Sequence, residues 1–156
     1  MFKIPSKVSI MLSLTISVIF FVTCIVAIFF LPNVADMLIE ARNSMGYEII
    51  TEQGRRTVID LAYVALSFVI LADVLLFCLL VRVNGGRVFT ARSVDYIRGV
   101  SWCCFALGAT FCAIGIYFNL AFVVALAAAF LGLCLRVVKN VIEEATTIKS
   151  ENDLTV

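Results

Sequence analysis

"GVSWCCFALGATFCAIGIYFNLAFVVALAAAFLGLCL", Gly99 to Leu135, contains no charged residue, and Asn119 is its only strongly polar side chain. As one helix it would run to roughly 55 Å at 1.5 Å per residue, far beyond a hydrocarbon core of about 30 Å. The stretch therefore predicts two membrane-crossing helices, Gly99 to Phe118 and Leu120 to Val138, folded back on each other near Asn119. Outward from this hairpin, Val8 to Leu31 and Val58 to Val83 are each long and apolar enough to cross as well.

Composition agrees. The chain is 63% hydrophobic and only 15% charged, with a mean hydropathy of +1.10; soluble domains are roughly half apolar and about a quarter charged. The expected fold class is all-α: a polytopic membrane protein with four transmembrane helices, forming one domain over 1–156. Lys3 and Lys7 ahead of the first apolar run resemble a secretory signal, but a signal core spans only about 7–15 residues. Asn33-Val34-Ala35 is also a poor cleavage site, so the first run is read as a retained span.

Orientation follows from the short loops, where Lys and Arg favour the cytoplasm. Lys3, Lys7, Arg82, Arg87, Arg92, Arg98, Arg136, Lys139 and Lys149 fall on one side, and Arg42, Arg55 and Arg56 on the other. Both termini are therefore expected in the cytoplasm, with the loop 84–98 and the tail 139–156 on the same face. The loop 32–57 is expected outside, with Val34 to Arg42 as a short amphipathic turn on the outer leaflet. It reads as a connector or as a lid that meets a ligand.

Two patterned polar segments mark the cytoplasmic face. Asn84-Gly85-Gly86 is a helix stop, because Gly and Asn readily take the left-handed conformation. Thr90 is suited to cap a new helix whose apolar positions Val94, Ile97 and Trp102 lead into the third span. Val88 and Phe89 precede the cap as a staple, an interfacial anchor or a docking knob. In the tail, Val137, Val138, Val141, Ile142, Ala145 and Ile148 share a stripe, which predicts that the fourth helix extends into the cytoplasm. Glu143 and Glu144 deprive that stripe of the basic character of a membrane-surface helix, which favours protein contact. Glu151 to Val156 lacks a helical period and reads as a frayed end.

Within the membrane, Asp73 in "VILADVLLFC" is the one deep carboxylate. Such a residue is a functional candidate by default: it could relay protons or bind a cation, or act as hydrogen-bonded glue to Thr110, Ser67 or Thr23. Asp60 lies near the outer interface. The six cysteines, Cys24, Cys78, Cys103, Cys104, Cys112 and Cys134, form no Cys-x-x-Cys pair, and the chain has no His, so no zinc spacing arises. They read as free thiols serving as small apolar residues. Cys104, Gly108 and Cys112, with Ala121, Ala125, Ala128 and Gly132, are spaced to let the last two helices approach closely.

Enzyme chemistry finds no nucleophile beside a base and no phosphate loop, so no catalytic role and no cofactor are expected. A net charge of +1 with scattered basic residues argues against direct nucleic-acid binding. "GRVFTARSVDYIRGVSWCC" and "LRVVKNVIEEATTIKSENDLTV" resemble the signature segments of a bacterial four-helix membrane family, domain of unknown function 2975. Members are often encoded beside a small Cro/CI-type helix-turn-helix regulator, so the resemblance implies a membrane partner for a transcription factor. The expected function is a noncatalytic sensor or tether in the cytoplasmic membrane. Its expected partner surface is Arg87, Val88, Phe89, Thr90, Arg92, Lys139, Asn140, Glu143, Glu144, Glu151, Asn152, Asp153 and Leu154. A small transporter or channel subunit using Asp73 is the alternative, and self-association into a homo-oligomer is left open.

Overall fold

The computed structural model describes the backbone of residues 6–47, 49–85 and 90–154, and the side chains of 8–47, 49–85 and 90–148. Four helices follow in order: α1 (Ser6–Ser44), α2 (Glu52–Asn84), α3 (Ala91–Gly115) and α4 (Leu120–Leu154). All four are long and apolar enough to cross a membrane, and no strand occurs among the described residues. The most apolar stretches of α1 and α2 bury only 11% of their residues inside the protein, and that of α3, the most enclosed helix, 33%. The rest of this greasy surface requires lipid, which makes the chain a multi-pass membrane protein.

The helices run up and down. Ser17, Ile28 and Asp36 on α1 meet Asp73, Tyr63 and Arg55 on α2, so rising numbers face falling ones. Each helix packs on its neighbours in sequence, most closely α3 on α4, and α1 does not close against α4. One end of the molecule carries the α1–α2 and α3–α4 turns, the hairpin end; the other, the terminal end, carries the start of α1, the α2–α3 connection and the end of α4.

The expected hairpin near Asn119 is present, and it is tight. α3 stops at Gly115, so Ile116, Tyr117 and Phe118 lie in the turn and not in the third span as expected. Tyr117 N–H donates to the Ile114 carbonyl at 2.9 Å, and Ala121 N–H to that of Phe118 at 2.8 Å. Small residues then bring the two helices together. A Cβ on Gly108 would lie 3.2 Å from the Ala125 carbonyl, and Gly132 sits against Cys104. Ser101 Oγ donates to the Gly132 carbonyl at 2.8 Å. Cys112, grouped with these small residues by spacing, instead faces outward.

The expected amphipathic turn at Val34–Arg42 is not a separate element. α1 continues through Pro32 to Ser44, and the residues it buries there are Ala35 and Ile39, whereas Met37 and Leu38 are exposed. At 39 residues α1 is about 58 Å long, so it projects or tilts. Pro32 has no N–H to offer the Ile28 carbonyl one turn earlier. Tyr63 Oη donates to that carbonyl from α2 at 3.3 Å. The turn after α1 uses Gly46 at φ +82°, a left-handed position suited to glycine. Thr51 then caps α2, accepting from Gly54 N–H. The connector between the first two helices thus shortens to 45–51, because both helices extend into 32–57.

Candidate functional site

At the terminal end, α2 stops at Asn84 as expected, with Gly85 as its cap, but at φ −78° and not in the left-handed region. Thr90 caps α3: its Oγ1 accepts from Ser93 N–H and lies 2.9 Å from Ser93 Oγ. Val94 and Ile97 are buried, which fixes the face on which α3 enters the membrane. Trp102, expected on the same face, is exposed. The Arg136 guanidinium lies 5.0 Å from its ring centre, and Phe105 meets it edge-on.

Close α3–α4 packing sets the start of α3 beside the distal part of α4. Arg98 Nη2 contacts Glu143 Oε1 at 3.4 Å, Arg98 Nη1 contacts Asp95 at 3.3 Å, and Lys139 pairs with Glu143 within α4. Of the expected partner residues, Thr90, Lys139, Asn140 and Glu143 thus make side-chain bonds, Asn140 Oδ1 accepting from Lys139 at 3.2 Å, while Arg92 and Glu144 are exposed. Arg87, Val88 and Phe89 lie outside the described residues, as do the side chains of Glu151, Asn152, Asp153 and Leu154. The backbone of 151–154 belongs to α4, so the helix continues where a frayed end was expected.

The stripe on distal α4 splits in two. Ile142 and Ala145 are half-buried, whereas Val137, Val141 and Ile148 are 63%, 61% and 58% exposed. The latter three share one outward face at helical spacing. Sequence reasoning missed the Arg98–Glu143 clamp and the Arg136–Trp102 stack. Trp102 and Arg136 lie equally far from Asn119 along the chain, so folding at that residue would have paired them.

Asp73 is 6% exposed and accepts a hydrogen bond from Ser17 Oγ at 2.8 Å. Its partner is therefore on α1, not one of the three candidates named from the sequence: Thr110, Ser67 and Thr23 bond to the carbonyls of Ala106, Val64 and Ile19 within their own helices. Among the described residues no buried side-chain polar atom lacks a partner, and no group of three His, Cys, Asp or Glu could hold a metal ion. All six cysteines are free.

A family model described as "Protein of unknown function (DUF2975)" matches residues 31–156. The chain belongs to this family. In this DUF2975 protein the match takes in α2, α3, α4 and the last part of α1, so Asp73 falls inside it and Ser17 before it. No curated protein and no solved structure significantly matches the chain.

Proposed function

We propose that this DUF2975 protein is a noncatalytic sensor or tether that holds a small helix-turn-helix transcription regulator at the bacterial cytoplasmic membrane. Both termini lie in the cytoplasm on this reading, because nine of the 12 basic residues belong to the terminal end. The observation that carries it is the exposed apolar edge of Val141 and Ile148, past the expected end of the fourth span, on a helix clamped to the start of α3. Beyond the bilayer such an edge is left without a covering surface, and apolar anchors supply a large share of interface energy. Arg92, Asn140 and Glu144 around it add specificity more than affinity. Arg87, Val88 and Phe89, which precede α3 in sequence, and Glu151 to Leu154, at the end of the tail, belong to the proposed partner surface by their place in the sequence.

Co-expression with a helix-turn-helix regulator encoded beside it, followed by membrane fractionation and co-purification, tests this. The regulator is expected in the membrane fraction, and Val141→Asp, Phe89→Ala or deletion of Glu151 to Val156 is expected to release it while insertion stays normal. Failure of the unmodified protein to retain any such regulator, or full retention by all three variants, overturns the reading. Transport through Asp73 is the competing role. The Ser17 bond supports a packing role for that carboxyl instead.

A further inference from the structure

Between α1 and α3, over one face of α2, lies a cavity of about 520 Å³, inside the range of small-molecule pockets, about 300–1,000 Å³. Its walls are mostly apolar, among them Ile16 and Phe20 from α1, Ala72 and Leu76 from α2, and Val100 and Leu107 from α3. α1 and α3 both pack on α2 but not on each other, so the cavity is a groove that opens sideways to the bilayer. A smaller cavity, of about 210 Å³, lies on the other flank of the α1–α2 seam, between Val18 and Phe21 on α1 and Val74 and Phe77 on α2. Ser17 and Asp73 line both.

The bond across the seam engages only half of the Asp73 carboxyl. Ser17 Oγ donates to Oδ1 at 2.8 Å, and among the described residues no other hydrogen bond reaches this side chain. No sealed-in side-chain polar atom lacks a partner there, so Oδ2 opens on the cavities that Asp73 lines. The basic residues of the three helices nearest to it in sequence or level are engaged elsewhere or out of reach. Arg82 stacks on Tyr96, and Arg98 pairs with Asp95 and Glu143. Lys7 precedes Ser17 by ten residues, roughly 15 Å along α1 at 1.5 Å per residue.

A carboxylate in an apolar groove is costly unless a cation meets it. A hard metal ion takes about six oxygen ligands. Ser13, Ser17 and Asp73 are the only lining residues here with side-chain oxygens, and both hydroxyls already donate, to the Ser9 carbonyl and to Asp73. A protonated amine needs only one acceptor, and an apolar body attached to it suits the rest of the groove. Phe20 adds an aromatic ring, a group that attracts cations.

We propose that this groove binds a lipophilic amine from the bilayer, its ammonium donating to Asp73 Oδ2 and its apolar body lying among α1, α2 and α3. Asp73 keeps its packing bond to Ser17 through Oδ1, and the site does not depend on the regulator reading.

Full-length protein in phosphatidylcholine nanodiscs, exposed to tail-photoreactive dodecylamine or to its N-acetyl derivative, which has the same chain and no charge, tests it. The amine is expected to label residues 69–80 and 100–107 in clear preference to the amide. Asp73→Asn, which keeps an acceptor for Ser17, is expected to reduce that preference about tenfold, the scale of one hydrogen bond to a charged group. Ile16→Trp, at an exposed edge of the groove, is expected to block it and suppress labelling by both probes. Equal labelling of the unmodified protein by amine and amide overturns the proposal. So does a preference for the amine that survives Asp73→Asn.

Discussion

Two side chains show how this protein satisfies polar groups where water is absent. Asp73 and Ser17 join α2 to α1 in mid-membrane, and hydrogen bonds of this kind are worth about 0.6 kcal/mol on average and up to roughly 1.7. Asp73→Asn keeps a hydrogen-bonding group without ionisation and is expected to leave folding and regulator retention intact. Asp73→Leu is expected to cost about 1 kcal/mol in reversible unfolding in mixed micelles, and in a Ser17→Ala background much of that cost should vanish. Complete loss of function in Asp73→Asn at normal expression would instead make ionisation the essential property and support transport. Tyr63 serves the backbone. Its hydroxyl occupies the carbonyl that Pro32 leaves without an amide, so Tyr63→Phe is expected to destabilise by about 1 kcal/mol. Restoring the amide with Pro32→Ala should make the same substitution nearly neutral, and a double-mutant cycle in micelles measures the difference.

At the scale of the helices, the α3–α4 pair is the tightest unit, and glycine makes it so. A Cβ at Gly108 would press on the backbone of α4, and nothing flexible stands there to yield. Gly108→Leu is expected to part the two helices and to destabilise by about 1–3 kcal/mol, the usual range for overpacking. Because the Arg98–Glu143 clamp hangs on that pairing, amide exchange across 139–148 should accelerate as well; unchanged exchange would separate the tail from the helix pair. Much of this unit was legible in the sequence, since an uncharged stretch too long for one crossing dictates a hairpin and small residues at four-residue spacing mark the contact. The Thr90 cap was legible for the same reason: it is local chemistry. What escaped was cross-helix. Ser17 could not be chosen over Thr110, Ser67 or Thr23 as the partner of Asp73, because helix register is set by packing and leaves no mark in either segment. The continuation of α1 through Pro32 escaped too, since the residue that makes it tolerable, Tyr63, lies on another helix.

The whole molecule has two ends of different character. The hairpin end is bound together by the bidentate Arg55–Asp36 pair, at 2.6 and 2.8 Å, and opens into a cleft between α1 and α4. The terminal end carries most of the basic residues, the Arg98–Glu143 clamp and the exposed edge of α4. The proposed regulator would bind at the terminal end. All of this requires the terminal end to face the cytoplasm, and cysteine-accessibility labelling of intact cells, in a background lacking the six native cysteines, tests that requirement most directly. Cysteines at Ser44 and Gln53 are expected to react with an impermeant reagent from outside, and those at Thr90 and Ser150 only after the membrane is breached. Labelling at position 90 from outside, with position 53 protected, would contradict the account.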